Sequence, residues 1–117
     1  MGRRDVTKNI EGYPLAFRGE LIPEYSGGFK ISSQKDLVGY VLMKYRNSTN
    51  PIKNWELNHE LLCSRFQHQI YELRNEGWKI ETKRGKDAGS YSYRLLSHPT
   101  DNWEDAQQSF ALQQSYE

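Results

Sequence analysis

The stretch Asn75-Glu76-Gly77-Trp78 constrains this chain more than any other. Ahead of it, Phe66, Ile70 and Leu73 recur at the spacing of one helix face. Beyond it, Trp78, Ile80 and Thr82 alternate with Lys79, Glu81 and Lys83, which is the period of a strand. A glycine at such a junction supplies the left-handed residue that ends a helix, and the apolar residue after it folds back on Leu73. The chain is therefore predicted to pass from helix to strand at Gly77. The polar, glycine-bearing run Arg84-Gly85-Lys86-Asp87-Ala88-Gly89-Ser90 follows. Tyr91, Tyr93 and Leu95 then alternate with Ser92, Arg94 and Leu96, so the two strands form a hairpin.

Upstream, Ser33 with Asp36 three residues later reads as a helix start, the serine capping free amides and the acid favouring the positive helix end. Leu37, Val38, Val41, Leu42 and Tyr45 continue it at helical spacing, and Asn47-Ser48-Thr49-Asn50-Pro51 stops it. Ile52 has room for a short strand. Asn54 is the predicted cap of a second helix whose apolar face is Leu57, Leu61 and Leu62. Ser64-Arg65-Phe66-Gln67 then matches a capping box and opens the third helix a tight turn later. Gly12, Pro14, Gly19, Pro23, Gly27 and Gly28 are spaced too closely for a long helix, so residues 1–31 predict an extended arm or a short hairpin. In that arm Leu15, Phe17, Leu21 and Ile22 either pair as two short strands around Arg18-Gly19-Glu20 or pack irregularly on the core. A chain of 117 residues buries one modest core, and the expected division is 1–31, a domain over 32–97, and a tail over 98–117.

Helix, short strand, helix, turn, helix and hairpin is the element order of an α+β winged helix-turn-helix, a three-helix core with a β-hairpin wing. The run Ser64-Arg65-Phe66-Gln67-His68-Gln69-Ile70-Tyr71-Glu72-Leu73-Arg74-Asn75-Glu76-Gly77-Trp78-Lys79-Ile80-Glu81-Thr82 also resembles the core of short helix-turn-helix proteins of bacteriophages and prophages. In that family an arginine-led helix runs through Ile-Tyr-Asp/Glu-Leu-Arg into a glycine, an aromatic residue and an Ile-Glu-Thr strand. The resemblance spans Ser33 to Leu96, roughly half the chain. The chain departs from the family in the arm before Ser33, in the tail, and at Gln69, where many members carry a basic residue. The resemblance implies binding of double-stranded DNA by a non-enzymatic regulator or an accessory factor of excision or replication.

For such a protein the third helix is the expected reader of the major groove, with Arg65, Gln67, His68 and Tyr71 on the arc opposite Phe66 and Ile70. Arg65 suits guanine, and Gln67 suits adenine unless the capping box holds it. Lys83, Arg84 and Lys86 at the wing suit phosphates or the minor groove. A solvated helix face and a charged tip that protects edge strands explain the same residues without DNA, and Glu72 and Glu76 weigh toward that reading. Arg3, Arg4 and Lys8 form a basic start that suits the minor groove or nothing in particular. The other functional expectation is a winged-helix module that binds and inhibits a host protein.

The chain carries 16 Lys and Arg against 15 Asp and Glu, a net charge of +1. The last eighteen residues hold Asp101, Glu104, Asp105 and Glu117 and no basic residue, which leaves 16 basic against 11 acidic groups before them. A mildly basic body and an acidic tail follow. In the tail, Trp103, Ala106 and Phe110 recur at helical spacing. They predict a short C-terminal amphipathic helix packed on the same domain, or else a homodimer contact, a partner-binding segment, or an acidic cover for the basic face. Cys63, the single cysteine, fits a reducing compartment and a small core position. With His59 and His68 it falls short of the four ligands of a structural zinc site. No nucleophile, base and oxyanion set can be assembled, so neither a catalytic site nor a cofactor is expected. No run approaches the roughly 20 apolar residues of a membrane span, and Met1-Gly2-Arg3-Arg4-Asp5 lacks a signal peptide's apolar stretch. Both point to a cytoplasmic protein, in a bacterial host if phage-encoded.

Overall fold

The computed structural model describes residues 5–99. Its first elements are two hairpins, β1 (Ala16–Phe17) with β2 (Glu20–Leu21), and β3 (Tyr25–Ser26) with β4 (Phe29–Lys30). Then come α1 (Gln34–Lys44), β5 (Ile52–Lys53), α2 (Asn54–His59), α3 (Phe66–Asn75), β6 (Lys79–Arg84) and β7 (Tyr91–Ser97). The last three strands form one antiparallel sheet in the order β5-β7-β6. Arg3, Arg4, the tail from Thr100 onward and the helix expected there lie outside the described residues.

The helix signals around Ser33 and Gly77 operate as read. The Ser33 hydroxyl accepts from the Asp36 amide at 3.1 Å, and Asp36 sits in the first turn of α1. Gly77 takes φ +99°, which lets the Trp78 amide reach the Leu73 carbonyl and the Gly77 amide reach that of Arg74, both at 3.1 Å. That pair of bonds satisfies carbonyls the helix end would otherwise leave open. Trp78 then lies against α1 at Gly39, where a β-carbon would sit 2.9 Å from its ring. Glycine within a helix costs up to about 1 kcal/mol relative to alanine, and here it admits the indole.

Three local expectations are corrected. Asn54 is not the cap of α2; Lys53 occupies that position, and its amide is met by the Glu56 carboxylate at 3.0 Å. The second helix ends at His59, so only Leu57 and Leu61 of its expected face are buried, while Leu62 is exposed in a left-handed conformation at φ +53°. Turning the chain there consumes residues through Ser64. The third helix therefore starts one residue late, with Arg65 as N-cap, and the spacing from Ser64 to Gln67 no longer matches a capping box.

The arm forms the short hairpin around Arg18-Gly19 and adds the β3–β4 hairpin around Gly27-Gly28, which the sequence pattern does not separate. Leu15, Phe17, Ile22 and Ile31 enter the same hydrophobic core as Val38, Val41, Leu57, Ile70 and Leu95, whereas Leu21 faces solvent. Arg18 fastens this segment to α2. Its guanidinium donates to both Glu56 carboxylate oxygens at 2.7 and 2.8 Å and to the Asn50 and Pro51 carbonyls at 2.8 and 2.9 Å. Burial works to raise the Glu56 carboxyl, but Arg18 and the Lys53 amide outweigh it and hold it below the ordinary 4.5.

Candidate nucleic-acid interface

One stripe of α3, formed by Phe66, Ile70 and Leu73, is buried, and the edge of the Phe66 ring meets Tyr93 of β7 with centroids 6.0 Å apart. That anchorage decides what the opposite face shows. Arg65, Gln67, His68 and Tyr71 are all exposed, so the outward arc expected from the sequence is present on the folded helix. With Ser64 displaced from the N-cap, Gln67 is not in a capping box. Glu72, the one acid within α3, lies 3.6 Å from the His68 imidazole, one turn away. Glu76 is ion-paired with Lys35 of α1, at the far end of the helix from Arg65.

Lys83, Arg84 and Lys86 are exposed on the β6–β7 hairpin, but they do not form one cluster. Thr82 and Tyr91 share a groove of about 280 Å³ with Gln67, Ile70 and Arg74 of α3, whereas Lys83 lines a recess with Thr49, Pro51 and Arg94. Successive strand residues face opposite sides, so Arg84 stands with Thr82 on the α3 side and Lys83 on the reverse. Lys83 also lies 3.6 Å from Glu81. Lys86 is in the loop between the strands.

The helix and hairpin are joined by Arg74, whose guanidinium donates to the Ile80 carbonyl and the Thr82 hydroxyl, each at 2.7 Å. A further tie comes from Asn54, expected from its chemistry to be a cap. Its side-chain amide donates to the Gly89 carbonyl at 2.8 Å and accepts from the Tyr91 amide at 3.1 Å. The loop is closed on itself by the Gly85 amide bonding to the Ser90 carbonyl at 2.6 Å. Asn54 and Arg74 thus set the position of the basic hairpin relative to α2 and α3. No local pattern marks them, because each bond joins elements that only the folded chain brings together.

Lys8, considered as part of a basic start, is engaged with Glu24 at 3.1 Å on the arm. Cys63 is fully buried, and burial pushes its thiol up. His59 and His68 are exposed. Among the described residues no three His, Cys, Asp or Glu side chains are grouped to hold a metal ion, and no helix is long and apolar enough to cross a membrane.

Comparison with curated proteins and with solved structures finds no match. The family model described as a winged helix-turn-helix domain matches residues 33–95, which begins at the α1 cap and ends within β7. This match supports DNA binding in general. It covers more than half of the 117 residues, and the chain belongs to the winged helix-turn-helix family.

Proposed function

We propose that this protein is a non-enzymatic binder of double-stranded DNA, a cytoplasmic, phage-type regulator or an accessory factor of excision or replication. In this reading α1, α2 and α3 form the three-helix core, α3 lies in the major groove, and the β6–β7 hairpin is the wing. The observation that carries it is the outward arc of Arg65, Gln67, His68 and Tyr71, set on a helix whose other face is locked into the core and braced against a basic hairpin by Arg74. Arg65 and Gln67 carry the hydrogen-bonding groups that distinguish guanine and adenine. Arg84 and Lys86 supply positive charge to phosphates, which positions the domain without reading sequence.

The test is anisotropy titration of wild type and Arg65→Ala against a selected duplex and a scrambled one, at one fixed salt concentration. A base-reading arginine predicts a loss of about 1 to 3 kcal/mol on the selected duplex and little change on the scrambled one. Equal losses on both reduce Arg65 to a phosphate contact. A second reading, docking of a host protein on the same face, is favoured by the 60% exposure of the Tyr71 ring there. Failure of the wild type to bind either duplex at low salt rejects the DNA reading and leaves this one.

A further inference from the structure

Away from α3's outward face, the molecule has a second groove of about 340 Å³, between the β3–β4 hairpin, α1 and the end of α3. Phe29, Tyr40, Met43, Leu73 and Trp78 give it an apolar lining, and two of them are conspicuously uncovered, Phe29 at 80% and Met43 at 40% exposure. Exposed apolar residues that adjoin one another mark interaction surfaces. We propose that this groove is the docking site for the chain's own C-terminal segment, with Trp103 as its anchor.

Two observations select this occupant. The described chain ends beside the groove. Pro99 stands 3.3 Å from where a β-carbon on Gly77 would lie, between the lining residues Glu76 and Trp78, and the His98 ring meets the Trp78 ring at 4.4 Å between centroids. Trp103 follows only four residues after Pro99, a reach of at most about 14 Å. The segment also has the matching chemistry, since Trp103, Ala106 and Phe110 fall at helical spacing while Asp101, Glu104 and Asp105 are its nearby charges. The rim itself carries no net charge, Lys30 and Lys35 against Asp36 and Glu76, so the apolar lining and not charge is what Trp103 matches. Docking here leaves Arg65 and Gln67 uncovered, so the tail braces the fold rather than shielding the DNA-facing side.

The experiment uses the full chain labelled with 5-fluorotryptophan, whose three ¹⁹F resonances, from Trp55, Trp78 and Trp103, are assigned by single Trp→Phe changes. Docking predicts a Trp103 resonance that does not shift between H₂O and D₂O and does not depend on protein concentration. Met43→Glu, at a half-exposed position that tolerates charge, moves that resonance to its solvent-exposed value and lowers Tm by about 5 °C. Trp103→Ala lowers Tm by a similar amount, and the double variant is little worse than either single one. A Trp103 resonance that is solvent-exposed in the wild type overturns the proposal, as do additive losses in the double variant. Burial that disappears on dilution overturns it too, by assigning the groove to a second copy of the chain.

Discussion

Two of the hairpins carry the same dipeptide at their turns, Arg18-Gly19 between β1 and β2 and Arg84-Gly85 at the end of β6, and they put it to opposite uses. At the first, both turn residues adopt positive φ, +53° and +83°, as a two-residue primed turn requires. An arginine is a poor occupant of that conformation. The cost is offset because the turn aims its guanidinium at Glu56, Asn50 and Pro51, with the Tyr45 ring 4.9 Å beneath it. At the second, Arg84 remains exposed beside Lys86. The residue type is the same; what differs is whether a buried acid stands opposite. An arginine–glycine turn is thus neither a structural nor a nucleic-acid signal until its partner is known.

The largest expected effect that sharpens this contrast is on folding. Arg18→Ala leaves the Glu56 carboxylate buried without its counter-charge, and such a change costs about 3 kcal/mol or somewhat more. Urea denaturation checks it, and a loss below about 1 kcal/mol would erase the distinction between the two turns.

The same pair can be loosened by acid. The Glu56 carboxyl is held below its ordinary 4.5, so its contribution is present in full above that value and is lost as pH falls through the depressed folded-state pKa. The wild type is expected to lose stability on acidification below about pH 4.5 more steeply than Arg18→Ala does, because the variant has no partner to forfeit. Asp5 and Glu20 are also held low and are common to both proteins, so the difference between the two curves isolates Glu56. Parallel curves would remove the ion pair from the account.

For the other hairpin the expected effect is on binding. Changing Lys83, Arg84 and Lys86 together to alanine should weaken duplex binding and make its dependence on log salt shallower, by roughly one unit for each phosphate that the variant no longer neutralises. The reverse orientation of Lys83 predicts a change nearer two units than three. An unchanged slope would take the hairpin off the DNA-facing surface. Smallest of all is Arg84→Ala alone, expected to alter folding stability by no more than about 0.5 kcal/mol in the urea experiment that exposes Arg18.

The legible parts of this fold were those governed by neighbours. Ser33 caps α1 because its hydroxyl needs only the amide three residues on. Gly77 ends α3 because the required φ is a property of one residue. The alternation from Ile80 to Thr82 and from Tyr91 to Leu95 marked the strands, and Ile52 joined them opposite Tyr93. The expected outward face of α3 came through as well, since a helix that buries Phe66, Ile70 and Leu73 has little choice about what it turns to solvent. The misreadings share one cause. Asn54 and Ser64 had the chemistry of caps, but the turn at Leu62 shifted the start of α3, and the hairpin loop claimed the Asn54 side chain.

The succession of elements and the family are therefore written in the order of residues, because capping, periodicity and glycine conformation act over a few residues and a full turn of helix at most. Which polar groups serve the frame and which remain for a partner was settled only by the packing. Arg18 meets Glu56 across 38 positions, and Asn54 meets Gly89 across 35. Arg18, Arg74 and Arg84 are indistinguishable as letters, and only folding places a carboxylate, a carbonyl or open solvent in front of each. The free energy of a charged group is set by what lies within a few ångströms of it, and that neighbourhood is built by the packing of segments far apart in the chain.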